Sequence, residues 1–429
     1  MSEVGSTIFA VSSGTPPAAI GVIRVSGPLA GLALRALAGR DISPRRASLA
    51  KLRDCSGVLL DQALVLWFPG PETATGEDLA ELHCHGGRAV LGAVERALSQ
   101  IEGLRPAEAG EFTRRSFANG RIDLAEAEGL ADLLAAETEL QRAAAISNAS
   151  GVLSTKVDAW RGWLLQLAAQ IEAALDFSDE DDVDALPQSF SQNIAVLRSE
   201  LDEWLERPRS ERLQAGFRVV LAGPPNAGKS TLFNALVESE AAITSPIAGT
   251  TRDVIERTVA IEGVPFCFVD TAGLRDEQAS DEIEDQGIQR ALMQFDGADV
   301  VLWLGDEGEG PTESWEVAPR KDAENFVPKH AGRHVVSGVT GEGVAHMKRD
   351  LVDEARQRLP KPGEATLSER QHNLLNQAAT FLSNTSDLTD PLLVAEELRS
   401  ARLSFDALTG RATTEDMLDA LFGRFCIGK

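Results

Sequence analysis

The sequence predicts a multidomain chain with an α+β module at the N-terminus, an all-α helical region, and an α/β domain inserted into that region. Three observations carry the expectation: where glycine and proline fall along the 429 residues, where the charge sits, and one glycine-rich loop between a strand and a helix. A domain holds on the order of 150 residues, so two to three domains are expected. With 43% hydrophobic and 25% charged residues, the chain has enough apolar mass for real cores, which excludes disorder as the whole answer.

Residues 1–118 carry 12 acidic and 12 basic side chains. Short β-branched runs, Ala19 to Val25 and Ala63 to Phe68, are interrupted by Gly and Pro, and a helix is expected from Arg88 to Gln100. From Leu124 onward Gly and Pro almost vanish, and Ala, Leu and Glu dominate. Trp160, Trp163, Leu164, Leu167, Ile171 and Leu175 fall on one stripe of a helix, a pattern that is most often core packing. The acidic run Ser178 to Asp184 ends at Pro187, a helix break. A solvated loop is the preferred reading of that run over a metal site, because it lacks the calcium-loop glycine pattern. Between Gly216 and Pro362 apolar strands alternate with helices, the signature of a parallel sheet with crossovers. Strands are expected at Phe217 to Ala222, Pro265 to Val269, Ala298 to Leu304 and His334 to Ser337. Helix-forming composition returns from Leu367. The expected division is 1–118, 119–214, 215–361 and 362–429, the second and fourth segments together forming the helical domain.

Charge narrows the function classes. Against 41 basic residues stand 66 acidic ones, a net charge of −25, all of it in residues 119–429. Such a chain repels phosphate backbones at long range, so coating nucleic acid by bulk electrostatics is excluded, while local basic sites remain open. The four cysteines lie far apart without C-x-x-C or zinc-finger spacing, so a disulfide framework is not expected. The N-terminus has no basic region followed by an apolar core, and no run of about 18 apolar residues occurs. No membrane association and a cytoplasmic location are the expectation.

Gly223-Pro-Pro-Asn-Ala-Gly228-Lys229-Ser230 fits G-x-x-x-x-G-K-[ST] where a strand ends and a helix begins. In that setting backbone N–H groups curl around phosphate oxygens, Lys229 reaches the β/γ-phosphates and the Ser230 hydroxyl ligates Mg²⁺. Asp270-Thr-Ala-Gly273 follows the strand Phe266 to Val269: its carboxylate suits the Mg²⁺ shell, and the Gly273 N–H suits a γ-phosphate. Gly249-Thr250-Thr251-Arg252-Asp253 is the switch segment, supplying a threonine hydroxyl to Mg²⁺. Three elements in this order predict a Ras-like P-loop GTPase domain. The guanine-reading N-K-x-D is missing after the strand expected at Val300 to Leu304. Pro319-Arg320-Lys321-Asp322 keeps the carboxylate and a basic residue but loses the Asn, so Asp322 is the guanine candidate, with a solvated loop charge as the plain alternative. Ser337-Gly-Val-Thr-Gly-Glu-Gly343 resembles the S-A-x base-clamping loop with Gly338 in place of Ala. Weakened guanine affinity or specificity follows. His83 and His85 share one face of a strand, where hydrogen-bonded packing is preferred over a zinc site.

Over nearly its whole length the chain resembles the MnmE (TrmE) family of bacterial tRNA-modification GTPases. The matching stretches are Ile20 to Gly27, Gly76 to Gly87, Gly110 to Arg121, the GTPase elements, and Phe425-Cys426-Ile-Gly-Lys429. The resemblance implies an N-terminal tetrahydrofolate-binding and dimerisation domain, making a homodimer, and a helical domain carrying the GTPase domain. It implies a flavoprotein partner, MnmG or GidA, and modification at C5 of the wobble uridine of certain tRNAs. The one-carbon unit would come from a 5-formyl- or 5,10-methylene-tetrahydrofolate. Arg24, Glu81, Arg121 and Lys429 match folate-holding positions, and Cys426 lies near that chemistry, a buried structural thiol being the alternative. Asn226, Ala227, Gly228, Lys229, Ser230, Thr231, Ser245, Thr250, Thr251, Asp270, Gly273, Asp322 and Ser337 match GTP-binding positions. The family uses K⁺ in place of an arginine finger, implying Asn226, Ser245, Ile247 and Thr250 as its ligands and Ser230 and Thr251 as those of Mg²⁺. Glu284, three residues before Gly287, matches the residue that positions the attacking water, joining Lys229 and Cys426 in the catalytic set. The alternatives are an Era-type ribosome-assembly GTPase, which the acidic 362–429 segment opposes, and a nucleotide-gated scaffold.

Overall fold

The computed structural model describes residues 5–176, 188–238, 241–242, 255–271, 295, 297–324, 326–412 and 414–429. The acidic run and Pro187 lie outside them. The N-terminal strands are β1 (Thr7–Val11), β2 (Ile20–Ser26), β3 (Ser48–Arg53), β4 (Leu59–Phe68), β5 (Leu79–His85) and β6 (Leu104–Pro106). They form one sheet in the order β3-β4-β5-β2-β1-β6. Successive side chains alternate between faces, and in β2 Ile23 and Val25 are buried while Arg24 points the other way. Helices α1 (Ala30–Ala38) and α2 (Arg88–Ser99) cover the first face, where Leu34, Leu91 and Val94 meet Phe9, Ile23 and Leu82. On the opposite face Ile8 and Ala10 pack with Phe112 of α3 (Glu111–Ala118).

Compactness divides the chain differently from the sequence pattern. Residues 1–131 group with 154–161 and 402–429, and the remainder forms a second unit. In the first unit Phe422 and Phe425 share a cluster with Ala127, and Ile427 bridges Ala109. Gly428 runs so close to β1 that a Cβ there would stand 2.2 Å from the Val11 carbonyl oxygen, an approach only glycine permits.

Helices α4 (Leu124–Ala135), α5 (Glu139–Ala149), α6 (Val152–Asp176) and α7 (Gln188–Leu205) account for the glycine-poor stretch. In α6 Trp160, Leu164, Leu167 and Ile171 are buried as expected, but Trp163 is 37% exposed. At about 100° per residue Trp163 falls on the flank of the stripe rather than its centre. The α5 N-terminus is a capping box: Thr138 accepts from the Gln141 amide while the Gln141 side chain accepts from the Thr138 amide.

In the second unit the α/β domain leaves and rejoins helical structure through adjacent segments. Arg209 and Leu367 form a parallel bridge, and the Ser210 amide donates to the Leu367 carbonyl at 2.9 Å. Nearby, buried Asn148 of α5 donates to Thr366 Oγ1 at 3.0 Å and accepts from the Thr366 amide at 3.1 Å. After α8 (Ser210–Ala215) come β7 (Phe217–Ala222), β8 (Ala241–Ala242), β9 (Ile255–Ile261), β10 (Val264–Asp270), β11 (Val300–Trp303), β12 (Trp315–Ala318) and β13 (His334–Val335). Their order is β13-β12-β11-β7-β10-β9-β8, with β7, β10, β11, β12 and β13 parallel and β8 and β9 antiparallel at one edge. All seven residues of β10 are buried, which is why it reads as an unbroken apolar run. Helices α9 (Lys229–Val237) and α10 (Val344–Arg358) contribute Leu232, Phe233, Leu236, Met347 and Leu351 to the same core. The sequence does not predict strands β8, β9 and β12. β12 has only four residues between polar loops, and β9 alternates Ile, Glu, Arg, Thr and Val, too polar a run to stand out alone.

Candidate nucleotide-binding site

The sheet order moves outward from β7 in both directions, to β10 on one side and β11 on the other. That reversal opens a crevice at the carboxyl ends of the strands, the place where open α/β sheets bind ligands. Each sequence-predicted loop in the described residues lies on this edge. Gly223 follows β7, Asp270 ends β10, Pro319 follows β12, and Ser337 lies just beyond β13. The expectation that the base-reading loop follows the strand at Val300 to Leu304 is corrected here, because β12 intervenes and delivers Pro319 to Asp322.

The first loop turns through Asn226 at φ 59° and Gly228 at φ 96°, left-handed conformations that glycine and asparagine tolerate best. This brings the chain into α9 with Gly228 at its N-cap and no side-chain cap, leaving the first-turn N–H groups directed at the crevice. Lys229 is buried and donates to the Gly223 and Pro224 carbonyls at 2.8 and 2.9 Å, so its ammonium is already held over the loop. Ser230 and Thr231 follow on the exposed side of the first turn, and Ala227 packs against the core. Asp270 is buried at the tip of β10, and Thr271 Oγ1 donates to the Leu221 carbonyl at 2.8 Å, tying that tip to β7. The donor set, an ammonium beside a helix N-terminus with a hydroxyl and a carboxylate nearby, fits a Mg²⁺-bound phosphate chain.

The base-side loops are built on Ser337. Its hydroxyl, fully buried, donates to Asp322 Oδ1 and accepts from the Val339 and Thr340 amides at 3.2 and 3.0 Å. The Ser337 hydrogen bond, foremost, holds the Asp322 carboxyl below its ordinary range. The Lys321 amide donates to the Val336 carbonyl at 3.1 Å, and Lys321 Nζ pairs with Glu342, so the two loops are joined by backbone and charge. Asp322 is exposed at this edge, and the Ser337 hydroxyl orients its carboxylate. Arg320, at φ 60°, sends Nη1 to the Asn226 carbonyl at 3.4 Å and lays its stem against Gly228, where a Cβ would stand 3.3 Å from Arg320 Cγ. This residue reaches over the phosphate loop in the absence of the Asn. Its left-handed backbone, the feature that aims it, has no signature in the sequence.

Gly338 explains its own departure from S-A-x. A Cβ there would lie 2.9 Å from the Thr231 carbonyl carbon and oxygen and 3.0 Å from the Leu232 amide nitrogen. The base loop rests directly on the α9 backbone. Ser245, Ile247, Thr250, Thr251, Gly273 and Glu284 lie outside the described residues.

A second cluster lies on the β2/β5 face. Arg24 Nη2 and Nε donate to Glu81 Oε1 at 2.9 and 3.2 Å across the register, with the guanidinium 5.9 Å over the Phe112 ring. His83 Nε2 meets Glu81 Oε2 at 3.2 Å and His85 Nδ1 meets Asp61 Oδ1 at 2.7 Å, so each imidazole has its own carboxylate. Arg121 pairs loosely with exposed Glu72 at 3.5 Å. Cys426 is exposed, which rules out the buried structural thiol, and the tail carrying it and Lys429 runs beside β1, the neighbour of β2. Sequence reasoning missed a further set: Arg115 bridges Glu77 and Glu111, Arg105 pairs with Glu111 at 2.6 Å, and Ser26 donates to Glu77. Glu111 and Arg115 sit in the Gly110 to Arg121 stretch at i and i+4, the spacing that was available to flag them.

A mainly parallel sheet of this order with two antiparallel edge strands, and a phosphate loop entering a helix, gives the domain the architecture of a Ras-like P-loop GTPase. A family model described as the MnmE helical domain matches residues 124–426, and one described as the GTP-binding protein TrmE N-terminus matches residues 7–121. The tRNA modification GTPase MnmE of Erythrobacter litoralis is 62% identical over 99% of this chain and 100% of its own length. That of Novosphingobium aromaticivorans is 60% identical over 99% of both chains. The chain belongs to the MnmE family. Among solved structures, the G domain of the T. maritima FeoB iron transporter is 23% identical, covering 32% of this chain and 98% of that one, with a TM-score of 0.23. Era bound to MgGDPNP and a 16S ribosomal RNA fragment is 18% identical, covering 49% and 98%, with a TM-score of 0.25. No helix among the described residues is long and apolar enough to cross a membrane.

Proposed function

We propose that this chain binds and hydrolyses GTP and acts in tRNA modification. Together with a flavoprotein of the MnmG type it adds an aminomethyl-type group at C5 of a wobble uridine. The observation that carries the reading is the oriented Asp322 carboxylate, fixed by buried Ser337 on the same sheet edge as Lys229. Asp322 accepts from the guanine N–H donors, and Arg320 takes over the position above the phosphate loop. Lys229 and the amides of the α9 N-terminus bind the phosphate oxygens. Ser230 and Thr251 hold Mg²⁺, which neutralises charge on the phosphates. Asn226, with Ser245, Ile247 and Thr250, holds K⁺, and Glu284 orients the attacking water.

The same proposal gives the N-terminal unit a folate derivative and a homodimer contact. Arg24, Arg121 and Lys429 suit the folate carboxylates and Glu81 suits pterin N–H donors. Arg24 and Glu81 are already paired, half-buried, on the sheet face that carries Phe112 of α3, and Cys426 stands exposed on the tail that runs beside β1. The net charge of −25 leaves tRNA contact to local basic sites or to the partner.

Three measurements test this. Titration with GTP, ATP and XTP should favour GTP, and equal affinities remove the role of Asp322. Single-turnover hydrolysis in K⁺ against Na⁺ should show strong K⁺ stimulation that Glu284→Ala suppresses with nucleotide affinity intact; an unchanged rate refutes that role. A nucleotide-gated scaffold is the second reading, motivated by Pro319 in place of Asn, and it predicts no K⁺ stimulation. Mass analysis of wobble uridines from cells lacking the gene tests the tRNA step.

A further inference from the structure

We propose that His334, His346 and Asp350 form a binding site for a divalent transition-metal ion of the zinc class, separate from the nucleotide crevice. His334 opens β13 and is 4% exposed, and its Nε2 is buried without a hydrogen-bond partner. A buried polar nitrogen left unpaired is costly, so its direction is informative. It points at Asp350, whose Oδ2 lies 3.5 Å away, too far for a good hydrogen bond. His346 sits one helical turn before Asp350 on α10, with Nδ1 3.9 Å from the same oxygen and its ring centroid 5.5 Å from that of His334. One ligand atom from each residue falls within 4.8 Å of the others.

A tetrahedral ion with bonds of about 2.0–2.1 Å spaces its ligands about 3.3 Å apart. The His334 to Asp350 separation is near that value, and the exposed His346 side chain has room to close the remaining gap. Two imidazoles and one carboxylate suit Zn²⁺, whereas Mg²⁺ and Ca²⁺ prefer oxygen donors. The solvent-facing His346 side leaves a fourth position for water. Arg333, the cation next in the chain, is stacked 3.5 Å over the Trp315 ring. The ion joins β13 to α10, the two elements on either side of the Ser337 to Gly343 loop, and so staples the stems of the base-clamping loop.

The test uses tag-free, nucleotide-free full-length protein titrated with Co²⁺ as a visible reporter. Wild type should show d–d absorption saturating at one ion per chain, displaced by Zn²⁺ and not by Mg²⁺, and Zn²⁺ should raise the melting temperature. His346→Ala and Asp350→Asn, both altering solvent-accessible side chains, should each weaken Co²⁺ binding by more than about tenfold and abolish the Zn²⁺ melting shift. Circular dichroism of both variants confirms that they are folded. No saturable absorption in wild type, or the same absorption in both variants, overturns the proposal.

Discussion

Replacing Gly338 by Ala restores the residue that base-clamping loops ordinarily carry, and the structure says it will damage this protein. The added Cβ meets the Thr231 carbonyl carbon and oxygen at 2.9 Å and the Leu232 amide at 3.0 Å. Real Cβ atoms do not approach backbone this closely, and neither α9 nor the loop has a side-chain end that yields. The strain is steric rather than conformational, since Gly338 has no positive φ. Overpacking of this kind costs typically 1–3 kcal/mol. At roughly 2–4 °C per kcal/mol for a folding unit of this size, a middle value of about 2 kcal/mol lowers the melting temperature by about 4–8 °C. Relief requires moving the first turn of α9, which carries Lys229 and Ser230, so GTP affinity falls along with stability. Gly341→Ala is the internal comparison: its Cβ has open space but φ is 78°, so its cost is backbone strain of about 1–2 kcal/mol. Differential scanning fluorimetry and a fluorescent-GDP titration on both variants separate the two causes. If Gly338→Ala melts and binds nucleotide like wild type, the loop does not rest on α9 as described.

Gly162 sits in α6 with nothing within 4 Å of an added Cβ, so Gly162→Ala should stabilise by about 0.5–1 kcal/mol, seen as a higher urea midpoint; a lower midpoint contradicts the open space. Asn148→Ala leaves the Thr366 amide and hydroxyl unpaired in a buried place and should cost about 2–3 kcal/mol, and an unchanged urea midpoint would show that this junction is not held by the pair. Burial raises the Glu111 carboxyl, and hydrogen bonds from Arg105, the Glu108 amide and Arg115 overcome it, leaving its pKa below the ordinary value. The unfolded chain therefore takes up this proton first, so the stabilisation is present above an unfolded value of about 4.3 and disappears as pH falls through the lower folded value. Glu111→Gln should flatten that acid slope, and parallel slopes in the two proteins would remove Glu111 as its source. Burial, followed by the Asp61 charge, pushes the Cys84 thiol up to about 12, so iodoacetamide at about pH 8 should label exposed Cys55 and Cys426 long before Cys84. Equal labelling of Cys84 and Cys55 by mass spectrometry would contradict its burial.

Some of the site was legible because its chemistry is local. Gly223 to Ser230 is a contiguous string whose backbone conformation and ligand groups arise within eight residues, and Asp270 ends an apolar run that announces itself. The base side was only half legible. Asp322 stands out by its type and its distance along the chain, but the strand before it does not, because four residues between polar loops carry too little pattern. The left-handed turn at Arg320 and the burial of Ser337 go with contacts to residues distant in the chain, Asn226 for Arg320 and Asp322 for Ser337, so no local propensity marks them.

By itself the sequence determined the three kinds of domain, the phosphate loop and its order with the later elements, and the helical stripe of α6. These depend on residues that are neighbours along the chain, where periodicity and capping act directly. Tertiary structure alone decided that the C-terminal tail lies against β1, that Arg209 runs beside Leu367 where the inserted domain leaves and returns, and that His334 faces an Asp350 sixteen residues away. Contacts of that kind are fixed by which surfaces bury most apolar area together, a property of the assembled core that no local window contains.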